Sequence, residues 1–146
     1  MAGRRLLPWL LACGLAAPAW AIDYLSVAEP GVLFDAPSTK AKALFVIQRD
    51  TPVEMVIATG PWVKVRDAEG DLAWIEKSLL SERRTVMVRV DRAQVRESAE
   101  EGGKLLFDVA KDVVMELVEP APAGWGKVRG RDGQVGFVKA SQVWGL

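Results

Sequence analysis

Two segments of the chain share one pattern: Trp62–Leu80 is WVKVRDAEGDLAWIEKSLL, and Trp125–Val143 is WGKVRGRDGQVGFVKASQV. They align without a gap, so that Trp62 falls on Trp125 and the Lys-Val-Arg of one segment falls on that of the other. Self-similarity at a fixed spacing indicates a duplicated structural unit. The sequence therefore predicts two copies of one small domain.

The repeat continues upstream of these segments at a spacing that is two residues shorter. The matched pairs in this part are Val53 with Val114, Leu44 with Leu105, Phe34 with Val95 and Val27 with Val88. This alignment places both extra residues in one loop, residues 58–61 in the first copy and 119–124 in the second. Loops rich in proline and glycine tolerate insertions. We therefore expect one repeat with one loop of variable length.

Each copy has the pattern of β-strands. Short runs rich in Val, Ile, Leu and aromatic residues are bounded by Gly, Pro and Asp, which is typical of strands and turns. In residues 62–66, Val63 and Val65 alternate with a tryptophan and two cationic residues. One face of the strand is therefore expected to be buried and the other exposed to solvent. Gly70 and Gly133 can adopt the positive φ that tight hairpin turns require. We expect an all-β protein with a short 3₁₀ turn near the end of each copy, at residues 78–80 and 141–143.

The first 21 residues have the layout of a secretory signal peptide. Arg4 and Arg5 precede an apolar stretch at residues 6–15, and Ala19-Trp20-Ala21 is a small-x-small cleavage site. The apolar stretch is shorter than the ~20 residues of a spanning helix, so we expect cleavage and export to the periplasm rather than permanent anchoring. Lipidation at Cys13 is the alternative, which the apolar residues after Cys13 disfavour. The expected organisation is a signal peptide at 1–21 and barrels at 22–81 and 85–146.

Composition excludes several functional classes. The chain carries 19 basic and 19 acidic residues, a balance that gives no basic footprint for nucleic acid or for an anionic membrane surface. No stable membrane insertion is expected after signal cleavage. It contains no histidine, and its one cysteine is Cys13. A metal site built on His or Cys is thus excluded after cleavage, and we expect no cofactor. No catalytic residue is predicted, because no His or Cys can act as base or nucleophile and no serine lies in a nucleophile elbow.

Several of these motifs resemble the bacterial SH3-like (SH3b) domain family. The resemblance rests on Gly-Trp-x-Lys-Val-Arg, a turn with Asp-Gly, a Gly-aromatic-Val and a serine-containing turn within residues 124–141, and on Ala93-Gln94-Val95-Arg96 and residues 111–117 upstream. The first copy departs from the pattern with Phe34-Asp35 and with Ala73 in place of a glycine. The resemblance implies two tandem SH3-like barrels of five to six strands each. It also implies binding of cell-wall peptides or protein segments, without catalysis.

The outward face of the repeated strand is the candidate ligand site. It consists of Trp62, Lys64 and Arg66 in the first copy and of Trp125, Lys127 and Arg129 in the second. A tryptophan can stack on a sugar or a peptide while a nearby cation pairs with a carboxylate. The competing interpretation is that each tryptophan covers its own barrel and the cations are solvated.

Other residues have structural interpretations. Trp74 and Phe137 lie in strands that are apolar on both sides, and we expect them in the core. We expect Trp144 to pin the end of the second barrel. The proline-containing loop 119–124 either lines a groove or only connects two strands.

The sequence predicts an exported, non-catalytic binding module whose partner is a cell-wall peptide or an exported protein. The alternative is a structural or assembly protein that docks one fixed envelope protein and binds no small ligand.

Overall fold

The computed structural model describes Gly3, residues 22–121 and residues 124–146. The predicted signal peptide, its cleavage site and Cys13 lie outside them. Within the described part, no helix is long and apolar enough to cross a membrane. The prediction of an all-β protein is confirmed.

Each barrel has seven strands rather than the five to six expected, because a two-residue strand at the end of each copy adds to the sheet. The strands of the first barrel are β1 (Tyr24–Val27), β2 (Gly31–Phe34), β3 (Ala43–Ile47), β4 (Pro52–Thr59), β5 (Trp62–Arg66), β6 (Leu72–Glu76) and β7 (Leu80–Ser81). Those of the second are β8 (Thr85–Val88), β9 (Arg92–Arg96), β10 (Leu105–Ala110), β11 (Val114–Ala121), β12 (Trp125–Arg129), β13 (Val135–Lys139) and β14 (Val143–Trp144). The 3₁₀ turns are Lys77–Leu79 and Ala140–Gln142, one residue earlier than predicted.

The two sheets have the same topology. The strand order is β3-β2-β6-β5-β4-β1-β7 in the first and β10-β9-β13-β12-β11-β8-β14 in the second, and every pairing is antiparallel. The hairpin between β5 and β6 turns at Gly70 with φ 93°, and its counterpart turns at Gly133 with φ 84°. The predicted turn chemistry is therefore confirmed.

The upstream alignment of the two copies is wrong by one residue from β2 to β4, whereas the match of Val27 with Val88 is confirmed, because Val27 pairs with Leu80 and Val88 pairs with Val143. Phe34 pairs with Trp74, whereas Arg96 pairs with Phe137, so Phe34 corresponds to Arg96 and not to Val95. In the same way Val53 corresponds to Met115, since each lies opposite the same position of its neighbouring strand. One extra residue lies between β8 and β9 and one between β11 and β12. A one-residue slip moves every side chain to the other face of a sheet, so this correction decides which residues are equivalent.

Each barrel encloses a core made mainly of β-branched residues. The buried core of the first barrel comprises Val27, Leu33, Ile47, Val53, Val63, Val65, Ala73 and Ile75. That of the second comprises Val86, Val88, Ala93, Val95, Val109, Met115, Leu117, Val128, Val138 and Val143. Val63 and Val65 are both 1% exposed, which confirms the inward face predicted for β5.

Trp144 contacts the first barrel as well as its own. Its indole Nε1 donates to the carbonyl of Pro52 at 3.3 Å, and its ring packs edge-on against Tyr24 at 5.3 Å between centroids. Both partners belong to the first barrel. Thr85, at the start of β8, donates to the carbonyl of Asp50 at 2.7 Å and is 2% exposed. These contacts join the two barrels to each other.

We predict that Trp144→Ala loosens the union of the barrels, because it removes the Pro52 hydrogen bond and the Tyr24 ring contact together. Amide ¹⁵N relaxation should show one rotational correlation time for the native chain and two for the variant. Trp144→Phe keeps an aromatic ring against Tyr24 and should retain a single time. Two independent times in the native chain would contradict this interpretation.

Candidate functional site

The outward face of β5 carries the first three predicted site residues. Trp62, Lys64 and Arg66 are each half-buried, on the opposite side of the strand from the buried valines. The ring of Trp62 packs edge-on against Phe34 at 5.7 Å and an interplanar angle of 86°. Arg66 Nη1 donates to Glu54 Oε2 at 2.9 Å. Lys64 forms no ion pair within the described ranges.

The equivalent residues of β12 are arranged differently. Trp125 is only 8% exposed, while Lys127 and Arg129 are paired with Glu119 at 3.5 Å and Glu116 at 3.0 Å. The Arg66–Glu54 pair recurs as Arg129–Glu116. Because each arginine pairs with a glutamate of the adjacent strand, both guanidinium groups are already engaged in contacts within their own barrel. The structure therefore does not gather the six residues into two equivalent faces.

Two residues assigned to the core lie on the outer surface of their sheets. Trp74 pairs across strands with Lys64 and with Phe34, and Phe137 pairs with Lys127 and with Arg96. Both rings are half-buried. The prediction was wrong because the small, buried Ala73 and Gly136 occupy the inward positions, a distinction that a continuous apolar run does not reveal. Phe34, Trp62 and Trp74 thus form an aromatic surface on the first barrel.

A groove of about 660 Å³ opens beside Trp62. Three segments line the groove. The first wall is the loop of Pro37, Ser38 and Thr39, the second is formed by Pro61 and Trp62, and the third is the start of the first 3₁₀ turn. The residues at that turn are Glu76, Lys77 and Ser78. An aromatic ring, two prolines and a few polar groups in a concave surface are typical of a peptide-binding site. Sequence reasoning identified Trp62 and missed the rest, because the walls come from three distant segments.

The corresponding place in the second barrel is occupied by an ion pair. Thr39 corresponds to Glu101, because the loops 35–42 and 97–104 have matching hydrogen bonds throughout, and Glu76 corresponds to Lys139. The Lys139 ammonium lies 5.9 Å from the centroid of the Trp125 ring and is hydrogen-bonded to the Glu101 carboxylate. Lys139 therefore covers the tryptophan that in the first barrel borders an open groove.

The hydrogen bond from Lys139 lowers the pKa of Glu101 below its ordinary value of 4.5, with further lowering by the charges of Lys139 and Arg96. A lowered carboxyl pKa means that the folded state stabilises the ionised form. Glu101 is fully exposed, so its ion pair contributes little to the free energy of folding. The pair fixes the position of Lys139 more than it stabilises the barrel.

Two further features are a second cavity and the proline-containing loop. A second cavity, of about 550 Å³, lies between the barrels, but its Arg83 is paired with Asp50 at 3.2 Å and with Glu116 at 3.8 Å. Within residues 22–121 and 124–146, no three His, Cys, Asp or Glu side chains are grouped to hold a metal. Of the proline-containing loop, Pro120 and Ala121 belong to β11, and residues 122–123 lie outside the described part.

Two tandem barrels with this topology, each with a tryptophan beside the loop of residues 35–42 or 97–104, define a double SH3-type protein. The family model described as Bacterial SH3 domain matches residues 27–82 and 89–145. The chain belongs to the bacterial SH3 domain family, whose domains are usually binding modules.

Solved structures that the chain matches include NlpC2 from Trichomonas vaginalis, with 14% identity and a TM-score of 0.38 over 85% of this chain and 48% of that one. An NlpC/P60 family protein from Bacillus cereus ATCC 10987 has 15% identity and a TM-score of 0.38 over 83% and 55% of the two chains. The present chain spans about half the length of these proteins. The comparison with curated proteins gave no match.

We predict that the contact between Lys139 and Trp125 depends on the charge of Glu101. The lowered pKa means that the ion pair is present above pH 4.5 and is lost as the pH falls through the lowered value. Nuclear Overhauser effects between the Lys139 side chain and the Trp125 ring should weaken at low pH and be weak at every pH in Glu101→Gln. Glu97→Gln, an exposed carboxylate in the same loop, should behave like the native chain. An unchanged contact in Glu101→Gln would refute this dependence.

Proposed function

We propose that this protein is an exported, non-catalytic binding module that recognises a cell-wall peptide or a segment of a periplasmic protein through the groove beside Trp62. The groove carries the proposal, since it combines an aromatic wall, a polar turn and room for an extended peptide. Membership of the bacterial SH3 domain family supports a binding role. The proposed organisation remains a signal peptide at 1–21, a first barrel at 22–81 and a second at 85–146, with a periplasmic location after cleavage.

The two barrels have unequal roles in this proposal. Trp62 is half-buried beside an open groove, whereas Trp125 is buried beneath Lys139. A residue that borders an open groove can contribute to binding at little cost in folding free energy. A buried ring contributes mainly to stability. We therefore assign ligand binding to the first barrel and a supporting role to the second.

An exposed apolar edge gives the assembly alternative an observation of its own. Phe45 and Val46, on the edge strand β3, are 51% and 69% exposed. In the second barrel Phe107 packs beside Gly130, whose added Cβ would lie 3.5 Å from the ring. In the first barrel Asp67 occupies the position of that glycine, so the ring of Phe45 has no equivalent space in which to pack. Apolar groups exposed on a sheet edge are typical of docking surfaces, so an assembly role remains the second candidate.

Co-sedimentation with purified peptidoglycan sacculi tests the proposal. Trp62→Ala should weaken binding by about 2 kcal/mol, the size of an interface hot spot, and should change the melting temperature little. Trp74→Ala is the matched control, because it removes a half-buried tryptophan from the same sheet face outside the groove. Sacculi that retain neither the native chain nor either variant would favour docking to an envelope protein.

Trp125→Ala should have the opposite profile. Because Trp125 is 8% exposed, its truncation should lower the free energy of unfolding by about 3 to 5 kcal/mol, as for other large core deletions. Thermal and urea unfolding measure this directly. A folded Trp125→Ala variant with native stability and weakened sacculus binding would show that the second barrel is also a ligand site.

A further inference from the structure

In the second barrel, the chemical group in contact with the tryptophan ring is the ammonium of Lys139. Its ammonium lies over the Trp125 ring at 5.9 Å from the centroid and is hydrogen-bonded to the carboxylate of Glu101. The face of an indole ring attracts a cation, and a carboxylate on the other side strengthens the contact. The second barrel therefore contains, within its own chain, an ammonium group bound between an aromatic ring and an acid.

The first barrel has the ring and an acid but not the ammonium. Glu76 is the cross-strand partner of Trp62, as Lys139 is of Trp125. Thr39 occupies the position that Glu101 has in the second barrel. The first barrel therefore has an acid, Glu76, at the position of Lys139 and a neutral residue at the position of Glu101. Glu76 is half-buried and forms no ion pair in the described part of the chain. Both Glu76 and Trp62 line the open groove.

We propose that the groove of the first barrel binds a primary ammonium group, carried by a lysine or another amine-terminated side chain of an extended peptide, between the Glu76 carboxylate and the Trp62 ring. The ligand ammonium takes the role that Lys139 has in the second barrel. Lys77, exposed on the adjoining wall, is placed to pair with a carboxylate of the same peptide. This inference rests on the proposed function and adds the chemical class of the ligand.

The neighbouring positive charges set a limit on this preference. Lys77 lines the groove, and the exposed Lys40 follows the wall residue Thr39. Both repel a ligand that carries only positive charge. A peptide with one ammonium and one carboxylate satisfies Glu76 and Lys77 together, and a polycationic peptide does not. The groove should therefore select an amine near a carboxylate and should not bind basic peptides in general.

Peptide titrations followed by NMR test the inference. The probes are acetyl-Ala-Lys-Ala with a free carboxyl end, the same peptide with norleucine in place of lysine, and the lysine peptide as an amide. The lysine acid should cause saturable shifts at the Trp62 indole and at Glu76. The norleucine peptide should bind about tenfold more weakly, as expected for loss of a partly desolvated cation contact. Equal affinities for lysine and norleucine, or no shift at Trp62 with any probe, would overturn the inference.

Two substitutions at one position separate charge from packing. Glu76→Gln should lower the affinity for the lysine peptide towards that for the norleucine peptide, with the contact of the ammonium on the Trp62 ring retained. Glu76→Lys introduces the residue of the second barrel and should abolish lysine binding. Glu69→Gln, an exposed carboxylate in the turn between β5 and β6, makes the same change in net charge outside the groove and should leave the affinity unchanged. Melting curves of all three variants identify any that fail to fold.

The same variants separate this inference from the proposed function. If Trp62→Ala weakens sacculus binding and Glu76→Gln does not, the groove is the site but the ammonium assignment is wrong. If neither substitution changes sacculus binding, while the native chain still binds, the groove itself is not the site. If Glu76→Gln weakens both peptide and sacculus binding, and raised ionic strength weakens them in the native chain, both proposals stand.

Discussion

The alternation of side chains along β5 and β12 is the constraint on which the rest of the structure depends. A barrel of about 60 residues buries a limited fraction of its surface, and the described part of this chain contains no cysteine to form a disulfide. Packing of the inward residues must therefore hold each barrel. The inward positions are Val63 and Val65 in β5, and Gly126 and Val128 in β12. Once these are fixed, the tryptophan and the charged residues can only lie outside.

The duplication preserves this constraint and leaves the outer positions free to diverge. Arg66–Glu54 and Arg129–Glu116 keep the same cross-strand ion pair in both copies. In contrast, Glu76 and Lys139 occupy one position with opposite charges, beside equivalent tryptophans. A reversal of charge on the outer face leaves the packing of the core unchanged, and under the proposed function it changes which ligand group can lie against the ring. The two barrels thus share a fold while differing in the chemistry of their outer surfaces.

Contacts between the barrels explain why the second copy can matter for a site in the first. Trp144 reaches Pro52 and Tyr24, and Thr85 reaches Asp50. Asp50 and Pro52 begin the turn and strand that lead through β4 to Pro61 and the groove wall. The second barrel therefore contacts and supports the segment that leads to Trp62, although Trp125 itself is covered.

The sequence by itself determined the repeat, the all-β class, the buried face of β5 and the hairpin turns at Gly70 and Gly133, because these depend on short-range spacing. Only the tertiary structure decided the equivalence of Phe34 with Arg96, the outward position of Trp74 and the difference between Trp62 and Trp125. Register in the upstream half is set by loops that differ by one residue in each of two places, and residue identity alone does not distinguish these alternatives. The sequence alone does not predict the groove, for a related reason. Its walls are contributed by residues 37–39, 61–62 and 76–78, and the coverage of Trp125 depends on Glu101 and Lys139, which only the closed barrel brings together.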